Sequence, residues 1–447
     1  STCSMAVMVW RWLLVCCVAL CARPAYPQGA QQCPAANTMT PCSCTVKKNG
    51  LDILCEFTEQ QHIQKAMNTL RSKPMIIFYL KLRHNNLAKL PSYIFLGLDI
   101  RHLTVHNSSL AVIEDSSLSS IGNKLTQLDV SQNSLATIPT SSFAHLNHLL
   151  ILNMNHNKVT AVHNRAFVGL DTLEILTLYE NRISVVDGEA FKGLEKKLKR
   201  LNLGGNELTA VPQKALALLE NMKKLEMQEN LCSFALVYKP IIIVTENLQY
   251  LRLGDNRLHE IPSEALRPLH RLRHLDLRSN NITYIGEDAF TGYGDSITFL
   301  NLQKNMVHQL PTMGFDNLNS LETLNLQNNK LQHIPEEIME PILDTLRVVD
   351  IMGKNHTALY FQTITFLRLA WYEAWLAGLR DRDDEMMQKK RTVCTMVSEH
   401  REYSVAKMPL EKMNCKRKPA YDRPNSALRC GISVTNLLLA IVTRWLY

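Results

Sequence analysis

The sequence is poor in features that several large protein classes require. Its 447 residues include only 17 Gly and 17 Pro, which excludes collagen-like repeats and argues against a disordered chain. The net charge is only +8, and Lys and Arg are spread along the sequence, so we predict no nucleic-acid partner. Gly-rich phosphate loops, Cys-x-x-Cys pairs and the Gly-x-Ser-x-Gly nucleophile turn are all missing. We therefore predict neither catalysis nor a cofactor.

Histidine spacing gives no metal site either. His102 with His106, and His270 with His274, are four residues apart. Such a pair shares a metal ion only on a helix, whereas His106 lies in a predicted strand and His274 directly precedes one. Neither pair has the Glu of a metalloprotease motif. We predict no metal ligand.

Long hydrophobic runs are also scarce. The apolar run 12–21 lies between Arg11 and Arg23 and is too short to span a bilayer. It fits a secretory signal, so we assign residues 1–30 to a signal region and expect the mature chain to be exported. In the tail 417–447, small residues, a spacer and a terminal apolar segment match a glycolipid attachment signal, with Asn425 or Ser426 as the anchor site. Secretion without an anchor is the equal alternative.

What the sequence does contain is an internal repeat. The template Leu-x-Leu-x-x-Asn-x-Leu-x-x-Ile/Leu recurs about every 24 residues, within the range of leucine-rich repeats. We count about twelve copies across residues 75–355. Ser108 and Lys354 stand at the Asn position of two copies. The copies that keep the Asn carry it at Asn85, Asn133, Asn157, Asn181, Asn206, Asn230, Asn256, Asn280, Asn305 and Asn329.

Each repeated position has a physical role. The Leu-x-Leu pair alternates with period two, which predicts a short strand, and stacked parallel strands form a continuous concave sheet. The Asn side chains can bond backbone groups where the chain leaves each strand, in a ladder. The predicted fold is an α/β leucine-rich-repeat solenoid with an irregular or short helical convex side. A helical array is excluded because Asn in every copy would interrupt the helices.

Four cysteines precede the repeats, in a region that we assign to an N-terminal cap, residues 33–74. Cys33, Cys42, Cys44 and Cys55 form a tight group. An exported chain favours disulfides among them, with a zinc site as the alternative. A cap is needed because the first repeat would otherwise expose an unpaired strand.

The stretch CPAANTMTPCSCTVKKNGLDILC, residues 33–55, resembles the N-terminal flanking cap of secreted leucine-rich-repeat proteins. The chain is most similar to arthropod proteins like the non-catalytic subunit of shrimp luciferase, with chaoptin- and connectin-like adhesion proteins as wider relatives. The resemblance implies pairing of Cys33 with Cys44 and of Cys42 with Cys55. Residues 356–416 resemble the C-terminal cap of that family.

The far end departs from the family pattern. The C-x-C that opens the family's C-terminal cap would fall near residues 365 and 367, and neither is Cys. The pairing of Cys232, Cys394, Cys415 and Cys430 therefore stays open. The stretches 231–245 and 354–367 lose the repeat pattern and then regain it. Two interpretations are equally open: compensated reading-frame errors in the source sequence, or genuine insertions and degenerate repeats.

Outward-facing strand positions predict the binding surface. They combine a basic N-terminal end with an acidic centre, and mixed charges of this kind are usually solvated. Tyr179 is the most interface-like of them. The candidates are Arg83, His106, Asp129, Tyr179, Glu180, Glu226, Arg252, Asp276 and Arg278. Asn107, Asn281 and Asn355 lie in glycosylation sequons, and a glycan on Asn107 would obstruct the concave surface.

These features predict a secreted or cell-surface glycoprotein that binds an extracellular protein ligand on its concave face, in adhesion or receptor-like recognition. Two alternatives remain: a non-catalytic subunit that stabilises a secreted enzyme, and innate immune recognition of microbial surfaces. Contact with a glycan or matrix, and membrane attachment through a glycolipid, stay open as further interactions.

Overall fold

The computed structural model describes residues 32–72, 74–233, 246–331, 334 and 336–350, together with two short strands at 393–396 and 401–404. The predicted signal region 1–30, Asn355, the anchor candidates Asn425 and Ser426 and the tail 417–447 lie outside these residues. Within them, no helix combines the length and apolar character needed to cross a bilayer.

The described strands are short and recur along the chain. They are β1 (Ser43–Lys47), β2 (Gly50–Glu56), β3 (Ile76–Arg83), β4 (Lys89–Leu90), β5 (Asp99–His106), β6 (Val112–Ile113), β7 (Gln127–Asp129), β8 (Ile151–Asn153), β9 (Ala161–Val162), β10 (Ile175–Thr177), β11 (Val185–Val186), β12 (Arg200–Asn202), β13 (Lys224–Glu226), β14 (Tyr250–Arg252), β15 (His274–Asp276), β16 (Phe299–Asn301), β17 (Thr323–Asn325), β18 (Val348–Asp350), β19 (Val393–Met396) and β20 (Arg401–Ser404). Fourteen of them form one sheet, in the order β1-β2-β3-β5-β7-β8-β10-β12-β13-β14-β15-β16-β17-β18. Within this sheet only β1 and β2 pair antiparallel, and every later neighbour is parallel.

The register of the sheet stacks equivalent leucines directly on one another. Leu128 pairs with Leu152, and Leu152 pairs with Leu176. All three are fully buried, and burying each leucine side chain contributes about 1.5–3 kcal/mol. Side-chain alternation along each strand therefore separates one core face from one concave outer face.

The convex side is built from short helices and two-residue parallel ladders, β4 with β6 and β9 with β11. Its core contains stacked phenylalanines, such as Phe167 and Phe191, whose ring centroids are 6.1 Å apart. The α-helices are α1 (Ala36–Met39), α2 (Gln60–Arg71), α3 (Thr140–Phe143), α4 (Gln213–Leu216), α5 (Ser263–Leu266) and α6 (Glu336–Met339), and the 3-10 turns are Gly294–Ser296 and Glu340–Ile342. The predicted solenoid, with its concave parallel sheet, is confirmed.

The repeated Asn side chains join each repeat to the one before it. Asn157 Nδ2 donates to the backbone oxygens of Val130 and Met154, at 3.0 and 3.1 Å, and Asn157 Oδ1 accepts the N–H of Leu135 at 3.1 Å. The structure places the other nine Asn in equivalent bonds to backbone carbonyls of the preceding repeat or cap. Ser108 substitutes for Asn in its repeat, because its Oγ donates to Leu82 O and accepts the N–H of Asn85.

The residue directly before each ladder position has a left-handed backbone, which the sequence did not predict. These residues are His84, Asn107, Gln132, His156, Glu180, Gly205, Glu229, Asp255, Ser279, Lys304 and Asn328. The chain turns out of the strand at this point. A non-glycine residue in this conformation costs about 1–2 kcal/mol, and the adjacent Asn bonds offset that cost.

The N-terminal cap closes the first edge of the sheet. Disulfides join Cys33 to Cys44 and Cys42 to Cys55, as the family resemblance implied. The hairpin β1–β2 extends the sheet, and α2 packs Ile63, Met67 and Leu70 into the core. The predicted pairing is therefore confirmed.

The first irregular stretch keeps the repeat pattern for longer than expected. Cys232 is buried at the position that Leu occupies in other repeats, and its N–H donates to Asn256 Oδ1 at 3.1 Å. The repeat pattern, which the sequence analysis took as lost from residue 231, therefore extends to Cys232, because a cysteine fills the apolar position. Burial raises the pKa of the Cys232 thiol to about 12. Residues 234–245 lie outside the described part of the chain.

In the predicted C-terminal cap region, 356–416, the structure describes the antiparallel hairpin of β19 and β20, and Cys394 lies in β19. Cys415 and Cys430 lie outside the described residues, as does the stretch 354–367.

The Asn ladder can be tested at Asn157. We expect Asn157→Ala to lower the free energy of unfolding by about 2–4 kcal/mol, because buried backbone groups of two repeats lose their partners. Asn157→Ser should cost less than half of that, as a serine serves at Ser108. The exposed Asn147→Ala is the control, with a change within about 0.5 kcal/mol. Urea unfolding followed by circular dichroism measures all three. Equal losses in Asn157→Ala and Asn147→Ala would contradict the ladder's role.

Candidate binding surface on the concave sheet

The concave face is organised in three rows that run across the strands. The entry row is the residue before the first Leu of each repeat: Tyr79, His102, Gln127, Ile151, Ile175, Arg200, Lys224, Tyr250, His274, Phe299, Thr323 and Val348. The central row lies between the two Leu: Lys81, Thr104, Asp129, Asn153, Thr177, Asn202, Glu226, Arg252, Asp276, Asn301, Asn325 and Asp350. The exit row follows the second Leu: Arg83, His106, Ser131, Asn155, Tyr179, Gly204, Gln228, Gly254, Arg278, Gln303 and Gln327.

The N-terminal part of the face is aromatic and imidazole-rich as well as basic. Arg83 is exposed at the end of β3. His106 Nδ1 lies 3.0 Å from Ser131 Oγ, and burial lowers the pKa of His106 despite the nearby Asp129. Phe57 is 81% exposed and stacks on the ring of His84 at 5.3 Å. This end therefore offers planar rings, of which Phe57 was missing from the sequence prediction.

Tyr179 bridges the centre of the face. Its hydroxyl donates to Glu229 Oε2 at 2.7 Å, over the intervening Gly204 and Gly205. A Cβ on Gly205 would lie 2.9 Å from Glu180 Cγ, so a larger residue there would displace the Glu180 side chain. Burial and the carboxylates of Glu229 and Glu180 raise the pKa of Tyr179. The ring is thus held in place as a neutral phenol.

Glu180, the neighbour of Tyr179, is exposed and sits on the rim of the concave face. Its Oε2 lies 2.7 Å from His156 Nδ1. The His156 ring also packs edge-on to the Tyr179 ring, with centroids 5.7 Å apart. Tyr179 is therefore supported on both sides.

Two predicted concave acids are not solvated, which corrects the expectation of an acidic centre. The side chains of Glu226 and Asp276 are only 5% and 3% exposed. Arg200, Lys224 and Arg252 surround Glu226 at 2.9, 3.3 and 3.8 Å. The long cationic side chains of neighbouring strands cover these shorter carboxylates, so the centre is an ion-pair network rather than an acidic patch.

The network continues toward the C-terminal repeats. Arg252 Nε lies 3.4 Å from Asp276, and Arg278 Nε lies 3.5 Å from Asp255 and 3.9 Å from Asp276. Burial raises the pKa of Asp276, opposed by a hydrogen bond from the Arg278 N–H and by the adjacent guanidinium groups. Pairs of this kind order the side chains more than they stabilise the fold.

The entry row carries a stack of rings beside the network. His274 lies between Tyr250 and Phe299, with both centroid distances 4.0 Å and the rings nearly parallel. Lys224 Nζ caps the stack, 4.0 Å above the Tyr250 ring. Burial, with Arg252 and Lys224 nearby, lowers the pKa of His274 to about 4.

Several residues of this surface were missed by the sequence prediction. Tyr250, His274 and Phe299 each directly precede the first Leu of a repeat, a register position that would have identified them. Gln228 is buried on the concave side, and its Oε1 has no hydrogen-bond partner among the described residues. Gly204 lies under it, since a Cβ there would meet Gln228 Nε2 at 2.4 Å.

The two described glycosylation sequons differ in the exposure of their asparagine. Asn107 is exposed, and its Nδ2 lies 3.0 Å from His84 Nδ1. Asn281 is half-buried, and its N–H donates to Leu258 O. Among the described residues, no cluster of three or more His, Cys, Asp or Glu side chains could hold a metal ion.

Known families and structures support the repeat assignment. The leucine rich repeat family models match residues 123–183, 171–231, 246–307 and 320–340. An internalin from Listeria monocytogenes is similar at 20% identity, with 68% of this chain and 81% of that chain covered and a TM-score of 0.50. This likeness supports the solenoid fold. Leucine-rich-repeat proteins are generally recognition modules without catalytic machinery.

Two other solved structures are similar at lower TM-scores. A leucine-rich-repeat protein of Leptospira interrogans is 25% identical, with 65% of this chain and 74% of that chain covered and a TM-score of 0.49. The structure of an octameric complex of Latrophilin 3, Unc5D and the leucine-rich-repeat part of FLRT2 matches at 23% identity, 66% and 81% coverage and a TM-score of 0.47.

The half-buried His274 predicts a specific loss of stability in acid. Its pKa is about 4 in the fold and about 6.5 in an unfolded chain. Between these values the unfolded chain holds the proton and the folded chain does not, so lowering the pH favours unfolding. The contribution is complete above about pH 6.5 and is lost toward pH 4.

The variant His274→Phe keeps the ring stack but cannot be protonated. Between pH 7 and pH 5 we expect its free energy of unfolding to fall by about 1 kcal/mol less than that of the wild type. This figure includes a discount for the partial exposure of His274. Urea unfolding at both pH values measures the difference. Identical pH dependence of the two proteins would show that His274 titrates normally.

Proposed function

We propose that this leucine-rich-repeat solenoid is an extracellular recognition protein that binds a protein ligand through the concave face, centred on Tyr179. The observation that carries the proposal is the bridge from Tyr179 to Glu229 across Gly204 and Gly205. A tyrosine fixed at both ends of its side chain offers contact area at little entropic cost on binding. Tyrosine is also enriched among the residues that dominate binding energy.

The surroundings of Tyr179 suit a protein partner better than a small molecule. The ion-pair network of Glu226, Arg252 and Asp276 begins two strands away from Tyr179 on the same face and is already internally paired. Such a surface is ordered before binding and presents both charge signs, which favours a partner with a matching polar surface. The stack of Tyr250, His274 and Phe299 adds apolar area on the same side.

We further propose export through the predicted signal region and glycosylation at Asn107 and Asn281. The two disulfides of the N-terminal cap are compatible with an extracellular location, because such bonds persist in oxidising compartments. Adhesion or receptor-like recognition, as in the chaoptin- and connectin-like proteins, is the role we favour. A role as non-catalytic subunit, as in the luciferase-like relatives, predicts a different partner. In that case a small enzyme should co-purify with this chain in a one-to-one ratio.

Tyr179 and a matched tyrosine elsewhere provide the test of the concave site. Tyr284 is half-exposed and bonds Glu260 at 3.1 Å, so it copies the Tyr–Glu pair away from the concave face. We expect Tyr179→Ala to raise the Kd for the physiological partner at least about tenfold, and Tyr284→Ala less than about twofold. The partner is first captured from tissue on the full chain and identified by mass spectrometry, and its Kd is then measured with purified components.

Two results would contradict the concave site: equal weakening by Tyr179→Ala and Tyr284→Ala, or full binding by Tyr179→Ala. Tyr179→Phe is informative as well, because it retains the ring and loses the bond to Glu229. We expect an intermediate loss, of about threefold, from greater mobility of the ring.

Surface attachment and glycosylation are tested on the native protein. If the predicted anchor is attached, we expect phosphatidylinositol-specific phospholipase C to release the protein from membranes. If the protein is purely secreted, we expect to find it in the medium without this treatment. Peptide N-glycosidase should lower the apparent mass of the protein. The mass decrease should be smaller for the variants Asn107→Gln and Asn281→Gln than for the wild type. Recovery of an intracellular, unglycosylated protein with reduced cysteines would contradict export.

A further inference from the structure

A strip of exposed cations lies on one border of the concave sheet, beside the entry row. It contains Lys197, Lys199, Lys223, Arg271 and Arg273. These residues come from three separate stretches of sequence, and the solenoid brings them to neighbouring strands. The spread of Lys and Arg along the sequence is therefore misleading about their distribution in space. We call this surface the basic strip.

Backbone hydrogen bonds define the strip's geometry. The Lys223 N–H donates to Lys199 O at 2.8 Å, Gln249 N–H to Lys223 O at 2.9 Å, and Arg273 N–H to Gln249 O at 2.9 Å. These residues therefore form one row across adjacent strands. Strands lie about 4.8 Å apart, so the row from Lys199 to Arg273 is about 14 Å long.

A second row lies parallel to the first and is fixed by side-chain amides. Asn221 Nδ2 donates to Lys196 O, Asn247 Nδ2 to Glu220 O, and Arg271 Nη1 to Asn247 Oδ1 at 2.8 Å. Side-chain amides of this row therefore lie among the cations. Groups of this kind bind sulfate oxygens through charge-assisted and neutral hydrogen bonds.

The cations of the strip are poorly neutralised by the protein. Lys199 pairs with Glu174 at 2.6 Å. Lys197, Lys223, Arg271 and Arg273 form no ion pair within the described part of the chain. Lys199 and Lys223 are direct neighbours, and like charges placed so are destabilising. Glu220 lies in the second row, where its backbone oxygen accepts the Asn247 amide, and Glu174 pairs with Lys199, so carboxylates border the cations.

We propose that the basic strip binds a sulfated glycan, a linear polyanion that would run across the strands. This is an activity separate from the concave protein site, because no strip residue belongs to the network around Tyr179. A nucleic acid fits less well, since single-stranded bases need free aromatic faces. Tyr250, which follows Gln249 of the first row, is covered by Lys224 on one side and His274 on the other.

The proposal is tested with heparin oligosaccharides on the full chain. The strip variant Lys199→Gln/Lys223→Gln/Arg273→Gln is compared with Lys47→Gln/Lys48→Gln/Lys65→Gln, which removes the same charge from exposed residues near the cap. We expect the strip variant to raise the Kd at least about tenfold at about 150 mM NaCl, and the control less than about threefold. The slope of log Kd against log salt should fall by about 2–3 in the strip variant alone.

Several outcomes would overturn the proposal. Equal loss in both triple variants would mean attraction by net charge only. Equal binding of fully desulfated heparin would remove the role of sulfate, and equal binding of a single-stranded DNA of matched charge would indicate a general polyanion surface. Failure of the wild type to bind heparin would also refute it. All substituted residues are exposed, so unchanged circular dichroism and thermal midpoints are the fold control.

Discussion

The structure depends on one interaction, the bond between an Asn side chain and the backbone of the preceding repeat. Asn157 shows how it acts: its amide group joins Val130 O to Met154 O, and its oxygen holds the N–H of Leu135. A single repeat has no partner for these groups, so the ladder couples each strand to its neighbour. It also fixes the register, because a slip would separate every Asn from its carbonyl and N–H partners. The bonds of each Asn also help to offset the cost of a non-glycine residue in the left-handed conformation before it.

Fixed register is what turns a repetitive sequence into a specific surface. Once Leu stacks on Leu, residues about 24 positions apart become lateral neighbours, and Tyr179 reaches Glu229 across two strand spacings. The ion-pair network and the ring stack arise in the same way, each member from a different repeat. Function on such a scaffold depends on which residues occupy equivalent positions of adjacent repeats, and this information is distributed over distant segments of the chain.

This explains how much the sequence could predict. Periodicity was sufficient for the sheet and for the positions of the Asn residues, since both follow from local pattern. The cap disulfides required family resemblance, because spacing alone leaves several pairings. Burial of Glu226 and Asp276 was mispredicted because it depends on how far Arg200, Lys224 and Arg252 reach from neighbouring strands. The Tyr179 bridge was missed because it joins residues 50 positions apart in the sequence, and their contact depends on how three repeats stack. The place of Cys232 in the core was missed because a cysteine there occupies a position that is leucine in other repeats.

The charges of the two surfaces differ in a way that separates their proposed roles. On the concave face, carboxylates between cationic strands are enclosed and already paired, so a partner gains little by neutralising them and must bind through shape and through Tyr179. At the border, Lys223 and Arg273 have neither a carboxylate between them nor an aromatic ring free for stacking. Their repulsion is relieved only by counterions, and a polyanion that replaces several counterions at once gains their release entropy. The same ladder therefore produces a centre suited to specific protein contact and an edge suited to an extended anion, and the two can be occupied independently.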